Sequence, residues 1–313
     1  MTLAHMTPAQ HRVGIDVSKA WLDVFDASTN KAARVANRAA DIALYLATLP
    51  STAVIVFEAT APYDDKLRRA LAAAERSAIR ANPGRARDYA RAAGFLAKTD
   101  AVDARMLATL PDIIGGAPAP AFDPDREALI ALHRRRDQLV ETRATERGRS
   151  TDEPDADALK SLARHMVWLD REIDTLDAAI KVALAKPAFA PVVSIVRSIK
   201  GVGEVTAATL VALLPELGTL SAKAVAALAG LAPINRDSGA MRGQRHIGGG
   251  RRRVRQALYM AALGAIRCVP RFKAHYLAIK ARCKHAKIAI IAVARKLLVT
   301  LNAMVKKGEP FKA

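Results

Sequence analysis

The run TAVIVFEAT, residues 52–60, narrows the choice of fold more than any other stretch of the chain. It is β-branched and apolar almost throughout, and an acid stands at its C-terminal end. Such a run reads as a strand buried on both faces, as in a parallel sheet covered by helices. The sequence on either side supplies the rest of that architecture. RVGIDV and WLDVFDA read as two short strands around a turn, with KAARVAN as a third. AADIALYLATL and DDKLRRALAAAE read as helices, and SAIRANP holds a further short strand. Strands alternating with helices predict an α/β domain over residues 1–112.

The character then changes to charged helix, which defines a middle region over 113–190. Leu162, Met166, Leu169, Ile173, Leu176 and Ile180 recur at steps of four and three, the a/d seam of a coiled coil. RGRSTDEPDAD (147–157) breaks the preceding helix, with Pro154 as the breaker. Two helices joined there form either an arm for dimerisation or for spanning nucleic acid, or a plain helical hairpin packed on its own domain. A third, mostly helical region covers 191–313. In it, SIKGVGEVTAATLVALL sets a GVG turn between two apolar helical stretches.

The chain carries 49 Lys and Arg against 30 Asp and Glu, a net charge of +19, which predicts a polyanionic partner, nucleic acid before membrane. A hydrophobic content of 51% excludes a disordered polycation. The two cysteines, Cys268 and Cys283, form no CxxC pair, so a four-cysteine zinc site is excluded and a reducing cytoplasm is the default location. No uninterrupted apolar run reaches the roughly 18 residues of a membrane span, and no transmembrane helix or membrane partner is expected.

Asp16 and Glu58 end core strands, where active sites of open α/β sheets collect. KTDAVDARMLATL adds Asp100 and Asp103, three apart on one face at the start of a helix. Singly, these acids read as caps or turn residues. Together, four carboxylates repel one another unless a cation neutralises them. Oxygen ligands select Mg²⁺, or Mn²⁺ as the alternative, and a two-metal site of this kind promotes in-line attack on phosphorus.

The most basic stretch is RDSGAMRGQRHIGGGRRRVRQ, residues 236–256. Arg242, Arg245, Arg251, Arg252, Arg253 and Arg255 are candidate phosphate contacts, and His246 is either another or a bystander. The glycines 248–250 either bring the backbone close to the nucleic acid or keep it mobile. Lys200, Gly201 and Gly203 form a turn that can present amides to phosphate at a helix N-terminus, or a tight helix connection. Arg271, Lys273, Lys280, Arg282, Lys284 and Lys287 extend the basic surface. Ser238 alone reads as a turn residue.

GIDVSKAWLDV, FEATAPYDDKL, NPGRARDYARAAGFLAKTDAVDARMLA, IKGVGEVTAATL, LAGLAPINRDSGAMRG and RRRVRQALYMAAL occur in this order. In this the chain resembles the DEDD-type insertion-sequence transposases, a family that includes the Piv invertases and the bridge-RNA-guided recombinases. The resemblance spans about residues 12–311, and KTDxVDARMLA is its most discriminating part. It implies a RuvC-like, RNase H-type N-terminal domain with Asp16, Glu58, Asp100 and Asp103 as catalytic metal ligands. It also implies a helical C-terminal transposase domain with a helix-hairpin-helix-like turn, in which Ser238 is the nucleophile toward DNA. Donor and target DNA, a structured guide RNA and a homodimer or tetramer are the implied partners. A metal-dependent nuclease acting through water, like a junction resolvase, is the alternative.

Overall fold

The structure, a computed structural model, describes residues 11–95, 99–111, 119, 122–235, 237–239, 241–243, 245–283 and 285–312, without the side chains of Met241 and Arg242. The chain divides into two compact units, Met1–Phe122 and Asp123–Ala313.

In the first unit, β1 (Arg12–Val17), β2 (Trp21–Asp26) and β3 (Lys31–Ala36) form an antiparallel meander. Helix α1 (Ala39–Thr48) leads to β4 (Val54–Glu58), and α2 (Asp65–Ala73) leads to β5 (Ala78–Ala81). Both of these strands run parallel to their neighbours, which gives a mixed sheet of order β3-β2-β1-β4-β5. Two helices follow, α3 (Pro83–Ala92) and α4 (Asp100–Thr109). Because side chains alternate along a strand, β4 feeds two cores, one of which it shares with β1. Val13, Ile15, Ile55 and Phe57 pack with Ile42 and Leu46 of α1 and Leu67 and Leu71 of α2. On the opposite face, Val56 packs with Ala86 of α3 and with Met106 and Leu107 of α4. Ile55, Val56 and Phe57 are all fully buried, as a strand covered on both faces requires. The arrangement is compatible with an RNase H-like domain.

The second unit opens with two long helices, α5 (Pro124–Asp152) and α6 (Ala156–Leu184), packed on each other. The side chains of Asp123 and Asp155 cap their N-termini. Helix α5 runs through RGRSTD to Asp152, further than the expected break over 147–157. Those residues tolerate helix, Arg149 pairs with Glu146 at 2.9 Å, and only Pro154 enforces the stop. The heptad seam faces α5: Leu169 and Ile173 are buried with Leu139, and Ile180 with Leu129. The seam is therefore consumed inside the hairpin and is not a free face for a second copy. The base of the hairpin shares a core with Phe189, Ala208 and Val211, so packing continues across residue 190.

The remaining helices are α7 (Ala190–Arg197), α8 (Glu204–Leu213), α9 (Ala222–Leu228), α10 (Arg252–Cys268), α11 (Pro270–Lys280) and α12 (Ala286–Lys307). They enclose a core that includes Leu210, Leu258, Ala262 and Leu297. Against the sequence expectation, α12 is long and apolar enough to cross a membrane by length and composition. Ala289, Val293, Ala294, Leu297, Leu298 and Leu301 are all fully buried, however, so its apolar face belongs to the core of this unit.

Candidate functional site

The four acids singled out in the sequence meet at one end of the sheet. The parallel register pairs Gly14 with Val56 and Ile15 with Phe57, so the next step sets Asp16 beside Glu58. Asp16 shares a strand face with Gly14, and α4 lies directly on that face. A Cβ at Gly14 would stand 2.0 Å from the Ala104 carbonyl oxygen and 2.5 Å from the Ala108 nitrogen. This contact brings the first turn of α4, with Asp100 and Asp103, to the end of β1. Thr99 caps that turn by accepting from the Val102 N–H at 3.3 Å.

The electrostatics report the same convergence. Burial, then the charges of Asp103, Asp100 and Glu58, push the Asp16 carboxyl up to about 6, against a smaller opposing effect of the Val17 N–H. Among the described residues, no three acid, histidine or cysteine side chains close around a common point at ligand distance. The donor set is all carboxylate oxygen, which fits a hard divalent cation.

Two further residues belong to this face, and sequence reasoning passed over both. Asp23 pairs with Asp16 across β1 and β2, and Arg34 pairs with Asp23 across β2 and β3. Asp23 is only 8% exposed, and the Arg34 Nε donates to its Oδ1 at 2.8 Å. The Arg34 Nη2 lies 3.8 Å from the Asp100 Oδ2. A built-in guanidinium thus sits at the edge of the acid cluster. The available signal was an acid in the middle of the apolar strand WLDVF, with an arginine in the next strand.

The segment around Ser238 is not an open loop. Pro233–Ile234 (β6) pairs with His246–Ile247 (β9), and inside that pair Asp237–Ser238 (β7) pairs with Met241–Arg242 (β8). The result is a nested β-arm, with the exposed Ser238 flanking a turn in which Gly239 has φ +54°. Among the described residues, Ser238 is the partner of no side-chain hydrogen bond. Nor are the glycines 248–250 a free linker. The Arg251 N–H donates to the Leu228 carbonyl at 2.8 Å, and Arg255 donates to the Gly249 carbonyl at 2.6 Å, which fastens the base of the arm.

Comparison with known proteins identifies what this arrangement belongs to. Residues 13–153, which hold all four acids, match the DEDD transposase of the IS110 type, and residues 193–277, which hold Ser238, match the transposase IS116/IS110/IS902 family. The pilin gene-inverting protein of Moraxella lacunata is 30% identical over 280 residues, covering 83% of this chain and 82% of that protein. The chain belongs to the IS110-type DEDD transposase family. A protein of insertion element IS110 from Streptomyces coelicolor is 30% identical over 47% of this chain and 36% of its own length. One of insertion element IS900 from Mycobacterium paratuberculosis is 32% identical over 48% and 38%. The chain is accordingly an enzyme of DNA transposition and recombination.

Within this transposase, the arginine cluster divides. Arg251 clamps Glu216 through two contacts of 2.5 and 2.6 Å and also donates to the Leu213 carbonyl. Burial works to raise the Glu216 carboxyl, but the hydrogen bond and charge of Arg251, with a backbone N–H and Arg126, together hold the group below the usual range. Arg253 donates to Asp137, which also contacts the buried His133. Arg245, Arg252 and Arg255 instead line a cleft. The Arg242 side chain and Lys284 lie outside the described residues. Arg251→Ala is therefore expected to lower the melting temperature, by about 1–3 kcal/mol in stability, while leaving the salt dependence of DNA binding unchanged. Arg252→Ala should do the reverse, reducing the slope of log K against log salt by about 0.9. Calorimetry and binding titrated at several salt concentrations separate the two.

The GVG turn is likewise of two parts. Gly201, at φ +104°, lies against α10, where a Cβ would stand 2.4 Å from the Ala265 nitrogen, so helix packing alone demands glycine there. Gly203 faces open space at the N-terminus of α8, beside the exposed Lys200. Glu204 in the first turn already complements that helix end.

Proposed function

We propose that this transposase cuts and rejoins the DNA of an insertion element through a covalent phosphoserine intermediate on Ser238, with Asp16, Glu58, Asp100 and Asp103 as the catalytic carboxylates. The observation that carries the reading is the meeting of four acids at one sheet end, where burial and then the charges of Asp103, Asp100 and Glu58 push the Asp16 carboxyl up to about 6. The exposure of Ser238, with no side-chain hydrogen bond among the described residues, adds to it.

In the proposed reaction, Ser238 Oγ forms a bond to phosphorus as the scissile P–O bond breaks. The hydroxyl proton passes to a basic oxygen, and the departing sugar oxygen takes up a proton. Attack by a sugar hydroxyl of the second DNA on the phosphoserine restores a phosphodiester and frees the serine, with no external energy. Mg²⁺, or Mn²⁺ in its place, held by the four carboxylates would supply charge neutralisation at the phosphate and acidify the attacking hydroxyl. The carboxylates would hold that charge in place, and Arg34, 3.8 Å from Asp100, adds a positive charge beside them.

The exposed Arg252, Lys200 and the Gly203 amide, in a helix-hairpin-helix-like turn, are proposed phosphate contacts; such contacts position without reading sequence. We further infer that a structured guide RNA chooses the donor and target DNA, that the α5–α6 coiled coil is an arm along nucleic acid, and that the working form is a dimer or tetramer. Val167 and Trp168, 51% and 48% exposed, mark an apolar face on that arm.

The deciding experiment incubates the protein with Mg²⁺, donor and target DNA and the RNA transcribed beside its gene, then separates protein–DNA adducts under denaturing conditions. The wild type forms an adduct and Ser238→Ala forms none. Cleavage by Ser238→Ala without an adduct would instead establish a nuclease that uses water and the four acids alone.

A further inference from the structure

The cleft that takes Arg245, Arg252 and Arg255 lies wholly within the second unit and measures about 1010 Å³, at the large end of the range for ligand sites. Its wall is of two kinds. Arg252 and Lys287 are exposed, Arg295 is half-buried, and none of the three has a hydrogen-bond or ion-pair partner among the described residues. Among the described lining residues there is no acid. The floor is Tyr259, Ile291 and Pro233, with Met260 and Ile288 left 64% and 51% exposed. A solvated charge patch needs no such floor. Arginines around a half-buried aromatic ring and exposed thioether and branched side chains complement a ligand that is anionic outside and flat and apolar inside.

We propose that this cleft binds single-stranded DNA, with one unstacked base on Tyr259 and Met260 and its flanking phosphates on Arg252, Lys287 and Arg295. A base stacked inside a duplex has both faces covered by its neighbours, so internal duplex is excluded from the floor, whereas base–aromatic stacking is indifferent to sequence. The occupant is DNA because the cleft adjoins the arm that carries Ser238. Pro233, His246 and Ile247 of the outer β-pair line it, and Arg245 at its rim is 3.6 Å from Asp237, the residue before the serine. The strand held there is the one that enters or leaves the serine. This assignment rests on the proposed serine chemistry for the identity of the strand, and on the cleft alone for its single-stranded form.

The test uses the full chain and a DNA 20-mer bearing one 2-aminopurine, with a second oligonucleotide bearing 5-iodouracil for photocrosslinking. The single strand is expected to show 2-aminopurine quenching on binding and a crosslinked peptide containing Tyr259 or Met260. Tyr259→Phe keeps both. Tyr259→Ala binds about tenfold more weakly, the scale of one base–aromatic stack. Met260→Glu, a change at an exposed position that leaves the core untouched, loses quenching even if Tyr259→Ala fails to fold. Crosslinks confined to other peptides, equal quenching by the blunt duplex, or equal or stronger crosslinking of the RNA of the same sequence would each overturn the assignment. The serine adduct assay is independent of these readouts. Loss of the adduct with the Tyr259 crosslink intact defeats the serine reading alone, and the converse result defeats the cleft alone.

Discussion

Gly14→Val dislodges α4 from the sheet and costs the N-terminal unit much of its stability. The Cβ alone would stand 2.0 Å from the Ala104 carbonyl oxygen and 2.5 Å from the Ala108 nitrogen, and both are backbone atoms within one helix. A side chain could rotate aside; two points on a helix backbone move only if the helix moves. Overpacking costs typically about 1–3 kcal/mol where side chains absorb it, and this position lies at or above the top of that range. For a unit of this size that corresponds to roughly 10–20 °C in melting temperature. Gly148→Ala is the matched control, because nothing lies within 4 Å of a Cβ there. It should leave the transition where it is or raise it slightly, since alanine is the better helix former. Scanning calorimetry of the full chain checks both. If Gly14→Ala or Gly14→Val melts with the wild type, the close approach of α4 to β1 is wrong, and with it the placement of Asp100 and Asp103.

That one glycine illustrates what the sequence discloses and what it conceals. The five strands of the first unit were legible because each is a short apolar or alternating run between turn residues, and period 2 survives without knowledge of the neighbours. The four acids were legible because three stand at element ends. Asp23 and Arg34 were not, because their importance lies in register: Asp23 matters only once β1 and β2 pair so that it faces Asp16. The basic run 236–256 conceals a distinction for the same reason. Six arginines close in sequence look equivalent, but Glu216 and Asp137, each far away in the chain, claim two of them. The nested β-arm escaped because its strands are two residues long, too short to show any periodicity. The apolar content of α12 was diluted by Arg295 and Lys296, and only its packing distinguishes a core helix from a membrane span.

Asp16→Asn should abolish DNA strand cleavage and yet stabilise the metal-free protein. The first effect follows if Asp16 is one of the proposed catalytic carboxylates. Deleting one such electrostatic contact costs on the order of 10²–10³-fold in rate, and more if the cation is lost altogether. The second effect follows from the raised carboxyl of Asp16, at about 6 in the folded chain against an ordinary value of 3.8. Between those two values the folded state holds a proton that the unfolded state has released. Stability therefore falls as pH rises through this window and stays lower above it. Asparagine carries no charge to bury or repel, so it escapes that loss. In EDTA at pH 8, Asp16→Asn should melt above the wild type, and the gap should close as pH is lowered through 6 toward 4. Adding Mg²⁺ at pH 8 should raise the wild type and leave Asp16→Asn largely unmoved, because binding to the folded state stabilises it by mass action. A variant that is dead and no more stable than wild type in EDTA would mean that neither burial nor neighbouring charge disfavours the Asp16 carboxylate. The sheet end would then be an ordinary set of caps rather than a cluster of partly buried, mutually repelling carboxylates.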